Sequence, residues 1–109
     1  MNKFEALGLN NAIVKAITEL GFESPTPIQE QSVPALLNGN EDLVALAQTG
    51  TGKTAAFGLP LAQLLDFNSK DTQALIICPT RELCIQITRD LQNFTKYMSG
   101  ANIVAIYGG

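Results

Sequence analysis

The chain has 109 residues, enough for one domain or a piece of a larger one. Apolar residues make up 46% and charged residues 16%, a globular balance in which no run approaches the roughly 18 apolar residues of a membrane span. Residues 1–9 are too mixed for a signal peptide, so a cytoplasmic location is expected. Seven basic against ten acidic residues give a net charge of -3, which excludes an overall electrostatic footprint for nucleic acid; any polynucleotide site must be local.

In chain order, Asn10 or Asn11 caps a first helix whose apolar positions Ile13, Ala16, Ile17 and Leu20 follow the helical period, and Gly21 supplies its left-handed stop. After a loop over residues 22–25, Thr26 is the N-cap and Pro27 the first position of a second helix that runs through Leu37 and stops at Asn38-Gly39, with a bend at Pro34. A strand is predicted over residues 43–47, then a loop, then a helix from Lys53 to about Leu65 made irregular by Pro60. Residues 66–71 form a polar connection. Residues 73–78 are a continuous apolar run of the kind buried on both faces of a parallel sheet, ended by Pro79. Thr80 caps a long helix with Leu83, Cys84, Ile87, Leu91, Phe94 and Met98 on one face, and residues 103–107 form a last strand before Gly108-Gly109. Strands separated by helices predict parallel pairing in an α/β layered fold. Cys78 and Cys84 have no histidine with which to complete a zinc site and read as two buried, reduced thiols.

The segment Ala47-Gln48-Thr49-Gly50-Thr51-Gly52-Lys53-Thr54 joins the 43–47 strand to a helix, the context a phosphate-binding loop requires. Gly50 and Gly52 let the backbone turn so that successive N–H groups form a concave nest for a β-phosphate, and the following helix adds its positive end. Lys53 reaches the β- and γ-phosphates, and Thr54 offers a hydroxyl to the Mg²⁺ between them. Ala47 stands where such loops usually open with glycine. The plain alternative is a glycine-rich connection with a surface lysine.

Gln29 admits two readings. Thr26-x-x-Gln29 is a capping box, in which the amide folds back onto the cap. An amide also carries both donor and acceptor, and can pair with the N6 amino group and N7 of adenine, choosing ATP over GTP. The two are compatible. Phe4 either stacks on that base or anchors the N-terminal segment.

Phe4, the segment from Gly21-Phe22 to Pro27-Ile28-Gln29, the loop 47–54, Pro79-Thr80-Arg81-Glu82-Leu83 and Gly108-Gly109, in this order and at these intervals, resemble the N-terminal part of the first RecA-like domain of DEAD-box ATP-dependent RNA helicases. That family's loop commonly begins with alanine, as here. The resemblance spans residues 1–109 and implies a truncated parallel-sheet P-loop NTPase domain with a Q motif over about residues 2–30. It implies that Phe4, Phe22 and Gln29 serve the adenine; that Gln48, Thr49, Gly50, Thr51, Gly52, Lys53 and Thr54 hold the phosphates and Mg²⁺; and that Pro79, Thr80, Arg81, Gly108 and Gly109 touch the sugar-phosphate backbone of single-stranded RNA. A helix start with a neighbouring arginine suits that last task, although Pro79 and Thr80 also serve as strand stop and cap, with Arg81 then a solvated charge.

Neither apolar run after the phosphate loop delivers a carboxylate at its end, because Pro79 follows Cys78 and Gly108 follows Tyr107. The Asp-Glu-Ala-Asp motif and a second RecA-like domain are not in this sequence, so the 109-residue chain is expected to bind ATP and RNA without turnover. In the family the strands bearing the missing motifs lie between the phosphate-loop strand and the strand ending at Cys78, so strand edges are expected to be bare and self-association to follow. The competing functions are another P-loop enzyme, such as a kinase, and a non-catalytic nucleotide-binding module.

Overall fold

In a computed structural model, residues 2–39 and 52–108 are described. The strand expected over residues 43–47 and most of the phosphate loop lie outside them. The described elements are a 3-10 turn (Glu5–Leu7) and four helices: α1 (Asn11–Glu19), α2 (Pro27–Asn38), α3 (Lys53–Leu64) and α4 (Arg81–Phe94).

Local chemistry sets each boundary. Asn10, not Asn11, is the cap of α1: its Oδ1 accepts from the Ile13 N–H at 2.9 Å. At the other end Phe22 N–H donates to the Ile17 carbonyl and Gly21 N–H to that of Thr18, both at 3.0 Å, with Gly21 at φ +94°; this is a Schellman closure. Leu20, expected on the apolar face, is exposed because it sits at the C-cap, where the helix no longer turns it inward. α2 begins at the full capping box of Thr26 and Gln29 and ends at Gly39. Pro34 and Pro60 each remove one backbone donor, yet α2 and α3 both run on through them.

α3 packs against α2 and α4, and α1 packs against α4. Small residues make this possible, since Ala55, Ala56, Gly58 and Ala62 of α3 are all buried. A Cβ at Gly58 would lie 2.8 Å from Leu91 Cδ2 of α4, closer than packed carbons tolerate. Ile87, Leu91 and Phe94 supply the buried stripe of α4, against Ile13, Ile17, Val33 and Leu59. Phe4 is completely buried, which for a phenylalanine stabilises by about 2–3 kcal/mol, and its ring meets Phe22 at 6.0 Å between centroids. Phe22 in turn meets Phe94 edge-on at 6.1 Å. Gln63 of α3 fastens the turn before α1, donating to the Gly8 carbonyl and accepting from the Asn10 N–H, each at 2.7 Å. The far end of α1 is held by Glu19, which pairs with Lys96 at 2.9 Å and accepts from the Tyr97 hydroxyl.

The apolar runs 73–78 and 103–107 differ from expectation. Among the described residues neither is paired as a strand. Exposure along them alternates: Ile76, Cys78 and Ile103 rest on the helical core, while Leu75, Ile77, Val104 and Ile106 point outward, 69–87% exposed. One face is covered and the other is bare, which is the physical reason that neither run is buried on both sides. Cys78 and Cys84 are accordingly half-buried rather than buried, and both are free thiols. Partial desolvation, with Cys84 alongside, pushes the Cys78 thiol above its ordinary range. No helix among the described residues is long and apolar enough to cross a membrane.

Candidate nucleotide and nucleic-acid site

α2 and α3 bring the base-reading and phosphate-binding candidates together. Gln29 sits at the third position of α2, 3% exposed. Its Oε1 accepts from the Thr26 N–H at 3.1 Å, and its own N–H donates to Thr26 Oγ1 at 3.4 Å, which completes the capping box. Its Nε2 then donates across to the carbonyl of Gly52 at 3.3 Å, 23 residues away. Gly52 is in the left-handed region at φ +85°, and a Cβ there would run into Gln29 Nε2. The last glycine of the loop is therefore glycine for two reasons, conformation and the approach of Gln29.

Directly after Gly52, α3 starts with an exposed Lys53 and a half-buried Thr54, and its N-cap, being glycine, has no side chain with which to cap that end. An uncapped helix N-terminus with an ammonium and a hydroxyl in its first turn has the donor set that a triphosphate and its magnesium require. Gln48, Thr49, Gly50 and Thr51 fall outside the described residues. Phe4 belongs to the hydrophobic core and Phe22 packs against it. The Phe4 ring has no exposed surface, so in this arrangement it anchors the N-terminal segment, while Phe22 is half-buried between Phe4 and Phe94.

The second cluster lies at the start of α4. Pro79, Thr80 and Arg81 are all exposed; Thr80 Oγ1 caps the helix by accepting from the Leu83 N–H at 3.1 Å. Arg81 Nη2 donates to the Gly108 carbonyl at 2.6 Å, and its guanidinium carbon stands 5.2 Å from the centre of the Tyr107 ring. The structure thus joins residues 79–81 to Gly108, and Gly109 lies outside the described residues. Two contacts are not visible in the sequence, Gln29 to Gly52 and Arg81 to Gly108. Neither leaves a spacing signal, because each depends on how separate elements pack.

The family model described as DEAD/DEAH box helicase matches residues 26–109. The chain belongs to that family. It is 51% identical over 106 residues to the ATP-dependent RNA helicase DeaD of Escherichia coli (strain K12), covering 97% of this chain and 17% of that protein. It is 50% identical over all 109 residues to the ATP-dependent RNA helicase CshA of Listeria monocytogenes, covering 21% of it. The chain thus spans about a fifth of the length of these curated relatives. Among solved structures, it superposes with a TM-score of 0.87 and 38% identity on the RNA helicase Prp28 from Chaetomium thermophilum bound to ADP, over 100% of this chain and 27% of that one. S. cerevisiae Dbp5 bound to RNA and ADP BeF3 gives 0.85 and 35%, over 90% and 25%. These likenesses place the helical framework described above in a DEAD-box helicase domain.

Proposed function

We propose that this chain is an ATP- and RNA-contacting part of an ATP-dependent RNA helicase, residues 1–109 being the N-terminal part of its RecA-like P-loop ATP-binding domain. The observation that carries the reading is the hydrogen bond from Gln29 Nε2 to the Gly52 carbonyl, since it ties a base-reading amide to the glycine that opens the phosphate-binding helix. Gln29 selects adenine through its remaining donor and acceptor, and Lys53, with the first amides of α3, takes the phosphates. Thr54 would hold a Mg²⁺ ion, which when bound neutralises developing phosphate charge. Single-stranded RNA lies along Pro79, Thr80, Arg81, Gly108 and Gly109, meeting the amides at the start of α4. Residues 43–47, 73–78 and 103–107 are strands of a parallel sheet in the intact domain, and the apolar side chains of Leu75, Ile77, Val104 and Ile106 are its presently uncovered face. That face drives self-association of the 109-residue chain; a stably folded, strictly monomeric chain in sedimentation would refute this. The protein works in the cytoplasm.

The test is ATP hydrolysis by the whole protein that carries this chain, with and without single-stranded RNA. Hydrolysis should rise with RNA and fall by about 100-fold or more in Lys53→Ala. Hydrolysis indifferent to RNA, or phosphoryl transfer to a small-molecule acceptor, would point to another P-loop enzyme.

A further inference from the structure

Two thiols flank the exposed turn that opens α4. Cys78 ends the apolar run before that turn and rests on the helical core, while Cys84 lies one helical turn before the buried Ile87 and two before Leu91, on their side of the helix. The cap brings the pair together. Thr80 Oγ1 accepts from the Leu83 N–H and the Thr80 carbonyl from the Cys84 N–H, each at 3.1 Å, so the chain reverses within a single turn and the Cys84 thiol stands alongside that of Cys78, close enough for the two to interact directly. Both are free and half-buried, which leaves part of each within reach of solvent, and residues 79–83 between them are all exposed.

We propose that Cys78 and Cys84 form a modification site, a dithiol that oxidised glutathione converts to a disulfide, and that closing it shifts the first turn of α4 and weakens binding of single-stranded RNA. The RNA part rests on the reading above. The Cys84 thiolate attacks one sulfur of oxidised glutathione, whose S–S bond breaks and releases one glutathione thiolate. Cys78 then gives up its proton and attacks the Cys84 sulfur, which breaks the mixed disulfide and releases the second glutathione. The protein loses two electrons and two protons, and both end on the pair of reduced glutathiones. Cys78 takes the resolving part because partial desolvation and the neighbouring Cys84 push its thiol up and keep it protonated for longer. Bonded sulfurs lie about 2.05 Å apart, far closer than thiols that merely touch, so one side must move. Cys78 is seated on the core, so the exposed first turn of α4 is the side that yields, and Pro79, Thr80 and Arg81 move with it. A disulfide of this kind in a reducing compartment is reversible and reports the thiol balance around it.

Trypsin separates the two cysteines, because it cuts after Arg81 between them and after Lys70 and Arg89 outside them. The whole protein is treated with excess oxidised glutathione under native conditions, its remaining thiols are alkylated, and it is digested without reductant. Peptides 71–81 and 82–89 should then run as one disulfide-linked mass that dithiothreitol divides. In Cys78→Ser, glutathione should stay on Cys84; in Cys84→Ser, Cys78 should take up several-fold less of it. Two separate alkylated peptides, or glutathione retained on both cysteines of the unsubstituted protein, would overturn the proposal. Binding of a single-stranded oligouridylate, with a non-hydrolysable ATP analogue present, should weaken several-fold on oxidation, recover with dithiothreitol, and be indifferent to oxidant in Cys84→Ser. A linked peptide with unchanged affinity would overturn the shift of α4, as would a loss of affinity that persists in Cys84→Ser. Absence of oligouridylate binding by the reduced protein would defeat the RNA reading alone, and the linked peptide would still decide the disulfide.

Discussion

Replacing Gln29 by Glu separates the capping role of this side chain from its other roles with a one-atom change. A primary amide has two N–H donors and two acceptor lone pairs. The capping box uses one lone pair, toward Thr26 N–H, and the bridge to Gly52 uses one donor. Glutamate keeps the acceptor, and its negative charge suits the first turn of α2, so the cap survives. Both donors are lost, and a carboxylate oxygen then faces the Gly52 carbonyl and, with nucleotide bound, the N7 lone pair of adenine. Each lost bond to a nearly buried group costs about 1–3 kcal/mol. We expect ATP to bind Gln29→Glu about 5- to 150-fold more weakly, following roughly 1.4 kcal/mol per factor of ten. Pyrophosphate, which has no base, should weaken far less. Isothermal calorimetry with ATP and pyrophosphate on the substituted and unsubstituted proteins gives both numbers. Equal losses for the two ligands would refute base reading and leave Gln29 a cap and a loop brace only.

Three further outcomes are expected. Lys53→Ala should reduce the affinity for ATP and GTP alike, since the ammonium meets phosphate and not base; unchanged titrations would remove the phosphate-loop assignment. Gly52→Ala forces a Cβ into a left-handed residue and against Gln29 Nε2, so it should destabilise by about 2 kcal/mol or more in urea unfolding; a cost under about 0.5 kcal/mol would mean that Gln29 is not seated there. The Tyr97 hydroxyl and then Lys96 hold the Glu19 carboxyl below its ordinary 4.5, so its contribution to stability is present above that pH and fades as pH falls through the lowered value. Glu19 in turn holds the Tyr97 and Lys96 protons and raises both groups, so their contribution is present below pH 10 and lost in stronger alkali. Melting curves of Glu19→Gln should therefore lose the part of the acid limb below pH 4.5 and of the alkaline limb that this cluster causes, by a small amount because the pair is exposed; identical limbs would dismiss the cluster.

Helix boundaries are readable because their determinants are local. Asn10, Thr26 and Thr80 each accept from an N–H three residues on, and Gly21 and Gly39 each close a helix in the left-handed conformation, all within a few positions of the residues they serve. The buried stripe of α4 follows from the same periodicity. Less legible is whatever depends on which helix lies beside which. Nothing local in the sequence marks Gly58 as the place where Leu91 packs, or Gln63 as the bridge between Gly8 and Asn10. The 73–78 run reads as covered on both faces because unbroken hydrophobicity says how much surface wants cover, not whether the covering residues are in contact with it.

The amide of Gln29 shows why capping and recognition need not compete. After the Thr26 and Gly52 bonds, among the described residues, one N–H and one lone pair remain. One donor and one acceptor on a planar amide are the complement of adenine, which offers an acceptor at N7 and a donor at N6; guanine offers acceptors at both places. The two bonds already made fix the plane of the amide before any ligand arrives, so the rotamer entropy of a long side chain is lost on folding rather than on binding. Gln29→Asn gives a sharp test of that argument. It keeps the amide but withdraws it by one methylene, so it cannot span to Gly52 while it caps. ATP should lose both affinity and its margin over GTP, and a Gln29→Asn protein that still prefers ATP to the same degree would show that base selection does not depend on the bond to Gly52.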